Sequence, residues 1–173
     1  KIEDSVYRQT TKSLEDLIEA SAEFVEAYQE FFEEMTQLIR LKIEGKQSVL
    51  RFKNGLETFS IAEKSIKRLK LALEYLNQDF DRFMMMTKEI PENSYKNQAH
   101  LMQSLKSIAS EASTLEAVYN NIITAGQEDF VYWAELPFKQ DTNDCTFQTA
   151  PIKINQLLNP LLYDKLNAAI FTS

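Results

Sequence analysis

Glycine is scarce in this chain, with three in 173 residues, so tight turns should be few and helices long. A single cysteine, Cys145, excludes an internal disulfide and any metal site built of cysteines alone. A single histidine, His100, removes the paired Glu-x-x-His motifs that a di-iron helical bundle needs. Asn97, not Glu, stands three residues before it, and His100 falls one residue off the apolar seam of its helix, as a surface residue would. One distant histidine also argues against a Cys–His dyad with Cys145. No Gly-rich loop is present to cradle a phosphate. No apolar run approaches the roughly 20 residues of a membrane-crossing helix. The N-terminal residues lack a secretory pattern, and a cytoplasmic protein is the expectation. By itself the chain shows no enzyme site, and its first residue, Lys1, fits a fragment or a missing N-terminus.

What is present suits a folded domain with a core of its own. The net charge of −7 is unevenly spread. Residues 1–39 hold three Lys/Arg against ten Asp/Glu, residues 40–70 nine against three, and residues 71–173 seven against thirteen. A basic block is thus set in an acidic chain.

Residues 4–44 read as one long amphipathic helix with three adjacent apolar rows. Leu17, Phe24, Phe31 and Leu38 form one, Ile18, Val25, Phe32 and Ile39 the next, and Leu14, Ser21, Tyr28 and Met35 the third. A stripe this broad suits a bundle. The glutamates between the rows read as a solvated face, and Gly45 as a C-cap. Asn54-Gly55, between residues 49–52 and 56–59, is a type I′ hairpin signal, with Phe52 and Phe59 available to pack it. Ser60 and Glu63 have capping-box spacing. The helix they open carries Ile66, Leu69, Leu73, Leu76, Phe80 and Phe83, and should run to about Lys88 before Pro91. A third helix follows Asn93-Ser94, with the seam Leu101, Leu105, Ile108, Ala112, Leu115, Tyr119 and Ile122, and Gly126 ends it. Of Met84, Met85 and Met86, at least one should be exposed, since consecutive residues cannot share one face.

After residue 126 the grammar changes. Residues 129–136 are aromatic and β-branched, as a strand would be, and residues 137–144 form a polar loop. Residues 145–173 read as a strand, a proline-bounded turn, a short helix and a final apolar strand. The expected fold is mainly α: an antiparallel bundle of three long helices, a small hairpin and a minor C-terminal β tail. The expected boundary separates a helical domain, 1–126, from the tail, 127–173.

A resemblance is carried by Tyr132-Trp133, Ala150-Pro151-Ile152, Leu157-Leu158, Leu162-Tyr163-Asp164-Lys165-Leu166 and Ala169-Ile170-Phe171-Thr172-Ser173. This order resembles the segment of DinG/XPD-type superfamily 2 DNA helicases that leads into their third motor motif. There an apolar strand ends in Thr-Ser-Ala-Thr; here the Thr-Ser is present. In those helicases a helical insertion, the arch domain, precedes this strand. The resemblance implies an arch-like accessory fragment of an ATP-dependent DNA helicase that contacts single-stranded DNA and helps separate strands. It implies that ATP and Mg²⁺ bind motor domains of the same polypeptide outside this sequence, which has no GKT-type loop, no DEAH box and no cysteine cluster. An iron–sulfur cluster, carried by some members and not others, would also lie elsewhere. Thr172 and Ser173 would couple the ATP site to DNA movement.

The residues themselves nominate the basic block for DNA: Arg51, Lys53, Lys64, Lys67, Arg68 and Lys70, with Phe52 among them. Lysines and arginines release counterions from phosphates, and an interleaved aromatic can stack a base. Lys64, Lys67 and Arg68 share a helix face by spacing. The competing reading is a solubilising face beside a buried Phe52. At the level of the whole chain, the alternative is a non-enzymatic helical adaptor that binds a protein partner.

Overall fold

A computed structural model describes residues 4–43, 48–92, 94, 96–124, 127–137, 145–153, 158 and 165. The expected final strand with Thr172 and Ser173 lies outside these residues, as do Gly45 and Gly126. Among the described residues the fold is mostly helical, with four α-helices and a three-stranded antiparallel sheet. The helices are α1 (Asp4–Lys42), α2 (Gly55–Thr58), α3 (Glu63–Thr87) and α4 (Gln98–Thr124). The strands are β1 (Val49–Phe52), β2 (Phe130–Glu135) and β3 (Thr146–Pro151). Among the described residues no helix is long and apolar enough to cross a membrane.

α3 is the central helix, and its apolar seam is buried as its spacing predicts: Ile66, Leu69, Leu73, Leu76, Phe80 and Phe83. α1 runs antiparallel along it, so Asp16 meets Arg82 near one end and Glu30 meets Arg68 near the other. α4 takes another flank of α3, also antiparallel. The buried Tyr119 hydroxyl donates to the Ile66 carbonyl at 2.5 Å, and Asn77 donates to Glu116. Burial in the low-dielectric interior holds the Tyr119 phenol well above the ordinary tyrosine range.

The stripes of α1 and α4 are buried unevenly. Leu17, Phe31, Met35, Leu38 and Ile39 are inside, while Leu14, Ile18, Val25 and Tyr28 are exposed. On α4, Ala112, Tyr119 and Ile122 are buried, whereas Leu101, Ile108 and Leu115 of the expected seam face solvent. Helical spacing identifies an apolar face but not whether a neighbour covers all of it. Met85 is exposed, and Met84 and Met86 are half-buried.

The hairpin expected at Asn54-Gly55 does not form. β1 pairs instead with β2, and β2 with β3, giving the order β1-β2-β3. The six-residue β2 offers β1 a full partner on a packed sheet, whereas residues 56–59 offered a short, marginal arm. Those residues turn into α2. Asn54 caps it by accepting from the Glu57 amide, and Phe59 is fully buried against Phe52 and Phe147. Gly55 packs so closely on the end of α4 that a Cβ would lie 2.4 Å from the Ile123 carbonyl oxygen. The capping box is absent too: Ser60–Ala62 is a 3₁₀ turn, and α3 opens from Ala62 with no side-chain cap. Phe59 and Ala62 are buried while Ser60 and Ile61 stay exposed, and the 3₁₀ turn between them displaces the helix start that the Ser60–Glu63 spacing requires.

The sheet closes one end of the helical body. Phe52, Tyr132, Ala134 and Phe147 turn inward, where Phe31 meets Phe147 with ring centroids 5.9 Å apart. Cys145 is buried beside α1, its amide donating to the Thr36 hydroxyl at 3.2 Å. Strands from both sides of residue 126 therefore share one core with the helices.

Candidate nucleic-acid interface

Strand alternation fixes the outer face of the sheet. With Tyr132 and Ala134 buried, Trp133 must point the other way. The register sets Arg51 of β1 opposite Trp133, and Trp133 opposite Gln148 of β3. A basic, an aromatic and an amide side chain therefore stand in one row across three strands. Arg51 and Gln148 are exposed, and Trp133, the only tryptophan of the chain, is half-buried. Val131, 40% exposed, lies on the same face two residues before Trp133. The carboxylate of Glu135 on this face accepts from the Gln148 amide nitrogen at 3.0 Å, which fixes that amide beside the tryptophan.

Each group has a plain chemical use. The arginine guanidinium is a rigid fork of donors that matches two phosphate oxygens. An indole is a stacking surface for any base, because every base has a π-face. An amide can donate to or accept from a base edge. Among the described residues β1 is an edge strand, and Arg51 at that end of the row is exposed.

The structure divides the basic residues nominated from the sequence. Arg51 and the exposed Lys53 lie in and just beyond β1, where Lys53 borders a hollow lined also by Gln127, Glu128, Val131 and Ile152. Lys64, Lys67, Arg68 and Lys70 lie on the first turns of α3. Lys64 is exposed, Lys67 pairs with Glu63 at 2.5 Å, and Lys70 lies 3.7 Å from Glu74. Arg68 turns to α1 and is clasped by three carboxylates. Its Nε meets Glu23 at 2.8 Å, its Nη2 meets Glu26 at 3.2 Å, and its Nη1 meets Glu30. The hydrogen bond from Arg68 holds the Glu23 carboxyl below its ordinary value, and the lysine partner does the same for Glu63. Phe52 is buried against Phe59 and Tyr132, and cannot stack on a ligand.

Trp133 and Gln148 were not nominated by the sequence. The run Phe130-Val131-Tyr132-Trp133 is apolar at every position, so alternation alone did not say which aromatic faces out. The neighbour that gives Trp133 its chemical setting, Arg51, is far away in sequence. Among the described residues no group of three or more His, Cys, Asp or Glu side chains could hold a metal ion. No family model matches the chain, and neither curated proteins nor solved structures give a match.

Proposed function

We propose that this chain is an arch-like accessory segment of a DinG/XPD-type ATP-dependent DNA helicase, and that single-stranded DNA touches it on the outer face of the sheet. The observation that carries the proposal is the cross-strand row Arg51–Trp133–Gln148, which sets a phosphate donor, a stacking ring and a polar amide side by side. Lys53 extends the positive end of this row. The order of Tyr132-Trp133, Ala150-Pro151-Ile152 and the Thr172-Ser173 terminus supplies the family part of the reading. On that reading ATP and Mg²⁺ belong to motor domains outside this sequence, and the segment contributes contact and orientation of the strand.

The test separates the two groups of basic residues. Binding of a fluorescent oligo-dT is measured for the parent, for Arg51→Glu with Lys53→Glu, and for Lys64→Glu with Lys67→Glu. The proposal expects the first pair to weaken binding about tenfold or more and the second pair to change it less than about threefold, since each lost phosphate contact removes a counterion-release contribution. Equal losses from both pairs, or no binding by the parent, would count against the sheet face.

A further inference from the structure

We infer that the groove between α1 and α4 is the seat of a basic amphipathic helix supplied by a partner. The groove has a volume of about 460 Å³ at its sheet end. Its floor is Leu69 and Leu73 of α3, and its walls include Tyr28 and Phe32 of α1 and Val118 and Ile122 of α4.

The two walls continue past that cavity along the body. On α1, Leu14, Ile18, Val25, Tyr28 and Phe32 follow helical spacing, and Ile18 and Val25 are 59% and 50% exposed. On α4, Leu101, Ile108, Leu115 and Val118 do the same, and Ile108 and Val118 are 50% and 47% exposed. α1 and α4 both run antiparallel to α3, so they are parallel to each other and their stripes lie at matching levels. From Leu14 to Phe32 the α1 stripe spans about 27 Å at 1.5 Å per residue, the length of an 18-residue helix. Two flanking helices with facing apolar stripes over a third leave the position of a fourth helix in a bundle.

Charge selects the occupant. α1 carries no Lys or Arg between Ser13 and Ile39, and α4 carries none after Lys106. Glu111 is exposed within the α4 stripe between Ile108 and Leu115, and Glu15 and Glu33 are exposed on α1 one step round the helix from Leu14 and Phe32, at the outer margin of the α1 wall. A second copy of α1, with nine acidic residues against four basic ones and no Lys or Arg between Ser13 and Ile39, would bring like charge against these walls. A helix with a leucine-rich face and lysines or arginines at its margins would bury the stripes and meet the carboxylates.

The full chain is titrated into a labelled 18-residue peptide of leucine and lysine in helical spacing, and into its counterpart with glutamate for lysine. The expected result is micromolar binding of the lysine peptide and at least about tenfold weaker binding of the glutamate peptide. Val25→Asp and Val118→Asp are exposed changes that should keep the parent's circular dichroism and melting curve. Each should weaken the lysine peptide about tenfold, while Arg51→Glu should leave it unchanged, which separates this site from the sheet face. Equal affinity for both peptides, or unchanged binding in the two valine variants, overturns the inference. Sedimentation showing a dimer that Val118→Asp dissolves would assign the groove to a second copy instead. A photo-crosslinking residue at position 118 that captures residues 154–173 of the same chain would assign it to the chain itself, and either outcome overturns the partner helix.

Discussion

Arg51 and Trp133 stand directly opposite each other on neighbouring antiparallel strands, although their positions lie on either side of two long helices in the sequence. The pairing gives the sheet an outer face on which a cation adjoins an aromatic ring. It also makes the ring's contribution measurable by itself. Trp133→Ala should weaken oligo-dT binding by about 1–3 kcal/mol, the usual worth of one stacked base, while Trp133→Phe should recover part of the loss. Equilibrium titration at fixed salt checks this. Loss in Trp133→Ala with no recovery in Trp133→Phe would point to damage to the sheet instead.

Gly55 is required by α4. Its added Cβ would meet the Ile123 and Ile122 carbonyl oxygens at 2.4 Å and 3.0 Å, and helix backbone cannot rotate away as a side chain can. Gly55→Ala should therefore cost about 3 kcal/mol, near the upper end of overpacking effects. Urea unfolding monitored by circular dichroism measures it. A neutral outcome would mean that the α2–α4 contact is looser than described.

The hydrogen bond from Tyr119 to Ile66 ties α4 to α3. Tyr119→Phe keeps the ring and removes the hydroxyl. The Ile66 carbonyl retains its helical partner, so no buried group is orphaned, and the expected loss is about 1 kcal/mol. Tyr119→Ala opens a cavity as well and should cost about 3–5 kcal/mol.

The Arg68 cluster predicts a pH dependence with a definite sign. Glu23 is held below its ordinary value near 4.5, chiefly by the hydrogen bond from Arg68. A carboxylate depressed in the folded state stabilises fully above its unfolded value, and that contribution is lost as pH falls through the folded one. Arg68→Leu should thus be less stable than the parent at pH 7, with Glu23, Glu26 and Glu30 left facing one another along α1. The gap between the two should narrow as pH falls below about 4.5. Thermal melts across that range check it, and a gap that widens in acid would contradict the assignment.

The helices were legible because their apolar residues repeat at helical spacing, and every seam residue assigned to α3 is buried. α1 ends at Lys42, close to where its pattern stops. The outer halves of the α1 and α4 stripes could not be placed, because Ile18 and Ile108 look like core residues to any pattern that does not know their neighbours. Asn54-Gly55 misled for a related reason. Both residues serve a turn, but Asn54 caps a helix and Gly55 admits the backbone of α4. The candidate site was half legible: Arg51 and Lys53 stood out by charge, whereas Trp133 acquires its setting only through a strand pairing that spans both long helices. Arg68 belongs to the same patch by spacing, but three carboxylates of α1, distant in sequence, take up its guanidinium.

Because Trp133 is the chain's only tryptophan, its emission reports on the proposed contact without a label. The most direct measurement is a fluorescence titration with oligo-dT at 50 and 200 mM salt. Contact on the sheet face predicts saturable quenching of Trp133, with affinity falling roughly tenfold over that rise in salt. Arg51→Glu should remove most of the quenching. Emission that stays unchanged while DNA binds, or binding that ignores both salt and Arg51, would contradict the account.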